Sequence, residues 1–472
     1  MRQKIRYDQI GRILLALLGI ALLGCSFLRY CSPNYYSAFL YMYIFPIGIL
    51  AGGCLIRNGE LYREKSFLIL GLFYLWYLIA VFLNEKIVHS PGENWKFVLV
   101  AAVQVFLLFP IGFISARKKR GQNAFLYAWI SVGIITVLSA WGIYQCLCGR
   151  TFMPAFENRY GIGIFVGRLA ILANPNPTGL VCCISAVLAG FLFCTQKSRS
   201  MRILAAVCGV ICYTATALTA SKTALLAVGA GLGGITFRRC YLAEYQKKQQ
   251  KRILRPLLLA VAVASACFLM YKPIVQIAGM NTHALADRAY LDSENPLTGR
   301  SDIWKIGLEQ MNATARSWLI GFSPNRIGEQ IGEKVFQVQK FWTNELHNSY
   351  LQVLMSCGLP GLLLLFVFLA SVLKSCLSAM MHGDGEEWSG YLAGIVFAVM
   401  TMAIAETFFF SYDQMHFVNF WFFASAGTLC GTESSRVRAT VLSPASVYAP
   451  TGKWAGAYAL QLGTFLREPM DK

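Results

Sequence analysis

Apolar segments long enough to cross a membrane recur along almost the whole chain, and that pattern leaves few folds open. A spanning helix needs about 20 mostly apolar residues. Twelve segments qualify, at roughly 12–28, 36–56, 66–83, 97–115, 124–147, 177–195, 203–219, 222–237, 256–277, 349–373, 389–409 and 414–431. In hydrocarbon the backbone must satisfy its own hydrogen bonds, so such segments are read as helices. The expected fold is all-α: a polytopic membrane protein with about 12 transmembrane helices. Only 14% of the residues are charged, whereas a soluble chain carries about 25%.

The spans divide the chain into expected units. Residues 1–277 form a bundle of helices one to nine, and 278–348 a large external loop. Residues 349–431 hold helices ten to twelve, and 432–472 a polar cytoplasmic tail. The run from Ile13 follows Arg2, Lys4 and Arg6 without a small-residue cleavage site, so it reads as the first span rather than a signal peptide. A polar loop of about seventy residues in such a chain calls for a functional reason.

Lys and Arg set the orientation. With a cytoplasmic N-terminus, the inside loops hold clusters such as Arg117-Lys118-Lys119-Arg120 and the run from Arg238 to Arg255. The short outside links hold only Arg29, Lys86, Lys96, Lys222 and Lys272. This asymmetry accounts for much of the net charge of +19 without a nucleic-acid partner. Most of the 15 cysteines lie inside apolar runs without metal-binding spacing, and read as small buried hydrophobes. Cys31 and Cys148 fall in external loops and are a possible pair.

Two outside loops depart from the charge pattern. Residues 148–176 carry Arg150, Arg159 and Arg168 against one acid, Glu157. Cations on the side that topology does not favour suggest an anionic ligand. The loop at 278–348 balances its charges, so only their placement carries an argument. In it, Ser301 can cap a helix beginning at Asp302. Trp304, Leu308, Met311, Ala315 and Trp318 then share one face, and Gly321 can end it. Such a helix would rest at the membrane interface or on the bundle. Arg300, at its start, is placed to bind an anion beside the helix N-terminus. It is equally placed for an ion pair with Asp302 or Glu345.

Other residues have two readings each. His347 directly precedes the tenth span and can take a proton near neutral pH, or can be an ordinary interfacial residue. Asn174 and Asn176 can bond backbone or sugar hydroxyls, or simply make the turn that Asn-Pro signals. Lys222 opens the eighth span as an anion ligand or as a snorkelling side chain. Glu406, near the outer end of the eleventh, is functional or pairs with Lys222 or an Arg.

Four short motifs carry a family resemblance. His347-Asn-Ser-Tyr-Leu-Gln-Val-Leu with Gly358-Leu-Pro-Gly resembles the end of the large external loop in the O-antigen ligase and polymerase superfamily. Gly299-Arg300-Ser-Asp-Ile-Trp304 resembles an Arg-containing motif earlier in that loop. Ala173-Asn-Pro-Asn176 and Ala220-Ser-Lys-Thr-Ala-Leu-Leu226 are similar to two patterns on earlier helices. Together the motifs span about residues 120–410.

The resemblance implies a metal-independent glycosyltransferase, without a cofactor, in a bacterial plasma membrane. Its donor would be a polyprenyl diphosphate-linked glycan, and its acceptor a hydroxyl on a glycan or lipid. His347 would be the general base. Arg300, with Arg168 or Arg159 and with Lys222, would hold the diphosphate; Asn174, Asn176, Asn348 and Glu406 would support them. Where family members often carry Ser-Arg, this chain has Ser221-Lys222, which binds phosphate without the fork geometry of arginine.

Two other classes compete. A lipid or polysaccharide transporter would line a path with charges through several helices, and Glu406 is the main mid-helix candidate. A structural partner of a synthesis complex would show no turnover.

Overall fold

The computed structural model describes residues 65–88, 122–150, 163–165, 168–171, 175–246, 253–281, 299–339, 343, 345–381 and 388–407. The expected spans at 12–28, 36–56, 97–115 and 414–431 and the tail from Thr432 lie outside the described residues, as do Cys31, Arg159 and Asn174.

Among the described residues the chain is almost entirely helical. In order come α1 (Lys65–Val88), α2 (Gln122–Leu147), a two-stranded antiparallel ribbon of β1 (Gly163–Phe165) and β2 (Arg168–Ala170), α3 (Pro175–Thr195), α4 (Arg199–Leu218), α5 (Lys222–Gln246), α6 (Leu254–Leu269) and α7 (Tyr271–Asn281). Then follow α8 (Arg300–Met311), α9 (Ala315–Ile320), α10 (Ile327–Gln339), α11 (Ser349–Met381) and α12 (Leu392–Ala403). Six apolar stretches are long enough to cross a membrane: in α1, α2, α3 and α4, across α6 and α7, and in α11. The chain is a multi-pass membrane protein, as the hydropathy pattern requires.

Helix α5 differs from its expected boundary. The apolar run at 222–237 predicts a stop before the arginines, yet the helix continues through Arg238 and Arg239 to Gln246. Arg238 is fully buried, and its Nη1 donates to Met380 O, 2.6 Å away near the end of α11. A partner for the guanidinium removes the reason to stop. The middle of α5 is glycine-rich. A Cβ at Gly231 would lie 3.0 Å from Gly394 O of α12, and one at Gly229 3.0 Å from Ala264 O of α6. Small residues let backbones in a membrane approach closely, so α5 sits between α6 and α12 as the spine of the bundle.

The polar insertion folds as a separate layer with its own core. Ile303, Ile306 and Met311 of α8 pack with Ile327, Ile331 and Val335 and with Leu346, Leu354 and Met355. The single helix expected over 300–320 is instead two. Thr314 breaks it and caps α9, its Oγ1 accepting from Ser317 N at 3.2 Å. The first cap is not Ser301 but Gly299, whose φ of 79° turns the chain so that Arg300 is already helical. The expected buried face holds in part: Met311 is buried and Trp318 packs against this core. Ile303, Ile306 and Gly307 face inward, while Leu308 and Ala315 are exposed.

The layer docks onto a break in α11. Cys357 and Gly358 leave helical geometry, Gly358 with φ 77°, and Pro360 follows without an N–H to give. The freed carbonyls find donors outside the helix. Phe322 N bonds Met355 O at 2.6 Å, Ser323 N bonds Ser356 O at 3.0 Å, and Trp76 Nε1 of α1 bonds Cys357 O at 2.8 Å. A side chain at Gly358 would collide with Leu319 O. Nearby, Asn84 of α1 donates to Ile320 O at 3.0 Å and accepts from Arg316 at 2.9 Å.

Candidate functional site

Three helices begin at one end of the bundle: α5 at Lys222, α8 at Arg300 and α11 at Ser349. Each N-terminus carries partial positive charge. Helix α12 arrives from the other direction, and Glu406 lies just beyond its last residue, Ala403. The sequence reading put Glu406 inside that span; the structure puts it in the turn that follows, where its side chain is free to reach across.

Arg300 links these elements. Its Nη2 is ion-paired with Glu406 Oε1, and its Nη1 donates to Thr223 Oγ1 of α5 at 3.2 Å. An Arg partner was one of the readings open for Glu406, and the structure supplies it. Both members of the pair are largely withdrawn from water, with 15% and 8% of their side-chain surface exposed. That favours a specific arrangement over a screened surface pair.

His347 completes the group. Its Nδ1 lies 3.7 Å from Glu406 Oε2, too far for a hydrogen bond, and this buried nitrogen has no hydrogen-bond partner among the described residues. The side chain keeps 29% of its surface open. Its backbone has φ 50°, an uncommon conformation for a residue with a Cβ. The neighbours impose it. Trp304 Nε1 donates to Leu346 O at 2.9 Å, and Leu346 N donates to Gln352 Oε1 at 3.0 Å.

On the other side, Asn348 caps α11, its Oδ1 accepting from Tyr350 N and Leu351 N at 3.0 Å each. Its amide also donates to Ile404 O at 2.7 Å, and Ser349 Oγ to Glu406 O at 2.7 Å. The segment that carries His347 thus holds the backbone of Glu406 as well. Sequence reasoning named Asn348 as support; it missed Trp304, Gln352 and Ser349 in this role. The Trp indole N–H, which must find an acceptor when half-buried, was the available signal.

The first basic loop reaches the site through Arg168. At the start of β2, Arg168 donates from Nε to Thr219 O at 2.6 Å and from Nη2 to Asn176 Oδ1 at 2.8 Å. Thr219 belongs to the turn between α4 and α5, in which Ala220 has φ 51°. Gly179 of α3 lies so close that a Cβ there would be 2.7 Å from Thr219 Oγ1. Arg168 and Asn176 therefore brace the turn that presents half-buried Lys222 and Thr223. Arg300, His347, Glu406, Lys222, Arg168, Asn176 and Asn348 lie in one connected region; Arg159 and Asn174 lie outside the described residues.

At the opposite end of the bundle the cations have different neighbours. The guanidiniums of Arg202 and Arg239 stack over the Phe193 ring at 5.1 and 5.5 Å from its centroid.

The O-antigen ligase family model matches residues 207–366. The match takes in Lys222, Arg300, His347 and Asn348 and stops short of Glu406. It supports membership of the O-antigen ligase family, a family of membrane glycosyltransferases of the ligase or polymerase type. No curated protein matches the chain.

Proposed function

We propose that this O-antigen ligase-like chain moves a glycan from a polyprenyl diphosphate carrier to an acceptor hydroxyl, on the outer face of a bacterial plasma membrane and without a metal ion. One observation carries the reading: Arg300 and His347 meet on Glu406 where three helix N-termini converge.

In the proposed reaction the acceptor hydroxyl gives its proton to His347 Nε2. The acceptor oxygen bonds to the anomeric carbon, and the bond from that carbon to the diphosphate oxygen breaks, its electron pair staying on the diphosphate. The leaving group gains negative charge. Arg300, Lys222 and the N-termini of α5 and α8 are the groups placed to receive it. Arg168 acts at one remove, by holding the turn that carries Lys222. In this reading the layer formed by α8 to α10 serves as the external loop and carries Arg300 to the outer end of the bundle, beside His347.

The test uses the purified chain in lipid with a polyprenyl diphosphate-linked glycan. Polyprenyl diphosphate is released, and release continues when EDTA is present. Loss of release with EDTA, restored by a divalent cation, overturns the metal-free reading. No release with any lipid-linked glycan overturns the transferase. Mass spectrometry of the product then distinguishes a second lipid-linked repeat from a different acceptor.

A further inference from the structure

Glu406 divides its two oxygens between the two groups that the reaction needs. Oε1 is ion-paired with Arg300, while Oε2 stops 3.7 Å short of His347 Nδ1. That nitrogen is buried and has no hydrogen-bond partner among the described residues. A buried unsatisfied polar atom costs free energy, and in a native site it calls for an explanation. The backbone around it is firmly held. Asn348 and Ser349 fasten Ile404 O and Glu406 O, and Leu346 is pinned from both sides. The side chain of Glu406 is the part left to adjust.

We infer that Glu406 is a positioning residue that couples donor binding to activation of the base. The inference rests on the function proposed above. A diphosphate competes with Oε1 for the Arg300 guanidinium, whose planar fork suits either anion. Released from Arg300, the carboxylate closes the gap of under 1 Å to a hydrogen bond with Nδ1–H of His347. That bond fixes the tautomer with Nε2 unprotonated, and it stabilises the imidazolium formed when Nε2 takes the acceptor's proton. No covalent bond changes in this step. The carboxylate exchanges one cationic partner for another, and the diphosphate takes its former place. The base is thus aligned once a donor is in position, which disfavours attack by a stray hydroxyl on nothing.

The test compares binding with turnover. Farnesyl diphosphate, an isoprenoid diphosphate without a glycan, serves as the binding probe. In Glu406→Gln the competing charge is gone, so the probe binds about fivefold more tightly than to the native chain. Turnover of a lipid-linked glycan falls about 10²-fold, because an amide does not stabilise the imidazolium as a carboxylate does. Glu406→Asp recovers part of the turnover. In protein carrying nitrogen-15 histidine, the probe shifts the Nδ1 resonance that His347→Gln removes, and does not shift it in Arg300→Ala.

A Glu406→Gln variant that binds the probe as poorly as Arg300→Ala overturns the switch and leaves Arg300 as diphosphate ligand. Tighter binding with unchanged turnover overturns the link to the base. Unchanged binding overturns the competition. If Arg300→Ala binds the probe as well as the native chain, the proposed function fails, and this inference fails with it.

Discussion

The two ends of α5 place arginine in contrasting settings. At one end, Thr223 receives a hydrogen bond from Arg300, which also meets the Glu406 carboxylate at the edge of solvent. At the other, Arg238 of α5 itself is sealed from water and bonds a backbone carbonyl of α11. A Cβ at Gly390 would lie 2.5 Å from its Nε, so the neighbouring chain is shaped around it. The buried arginine, two turns before the end of α5, holds the end of α11. Arg300, with 15% of its side chain exposed, pairs with a carboxylate, the partner that the proposed diphosphate would displace. Residue type does not separate the two settings; what each arginine is bonded to, and whether the proposed donor could exchange that bond, does.

That contrast can be broken by experiment, beginning at the site. His347→Ala lowers turnover by about 10²–10⁴-fold, the usual contribution of a positioned base, with the thermal unfolding temperature unchanged or raised. Full activity in that variant assigns the base elsewhere. Arg300→Ala lowers turnover by about 10²–10³-fold while the bundle still folds, and Arg300→Lys restores only part of it, because the ammonium lacks the fork.

Arg238→Ala has the opposite signature. It costs about 1–3 kcal/mol from the orphaned Met380 carbonyl, seen as reduced thermal stability, while the folded fraction keeps its specific activity. If Arg238→Ala instead abolishes activity at native stability, the division between the two ends is wrong. Asn348→Ala removes the cap of α11, costing about 1 kcal/mol, and it reduces turnover as well because the same amide holds α12. Lys222→Ala is the mildest, raising the donor KM several-fold. Lys222→Arg matches or improves on the native residue.

Much of this was legible in the sequence because membrane burial writes itself in hydropathy. The spans at 66–83, 124–147, 177–195 and 203–219 fall within α1, α2, α3 and the α4 region, where apolar length alone sets the helix. Arg300 and His347 were legible from motifs. Their meeting on Glu406 was not, since it joins positions 106 residues apart in the pair with Arg300; an Arg partner for Glu406 was one of the open alternatives. The layer was read less well. Of the expected face, Met311 lies in the core and Trp318 packs against it, but Leu308 and Ala315 are exposed and Ile303, Ile306 and Gly307 take their place, because that core is supplied by α10 and the start of α11. The break at Thr314 left a capping signal that an apolar stripe across both halves concealed. The extension of α5 beyond its apolar run depended on Met380, far along the chain, offering Arg238 a carbonyl.

The break in α11 also bears on the order in which the protein is made. A backbone carbonyl left without a donor is costly in hydrocarbon, so the second half of α11 is incomplete until Trp76, Phe322 and Ser323 are beside it. All three precede it on the chain and leave the ribosome first. Seating α11 therefore completes two things at once: α1 and the segment after α9 close its break, and its first turns give Leu354 and Met355 to the core of the layer. Neither the layer nor α11 is complete without the other.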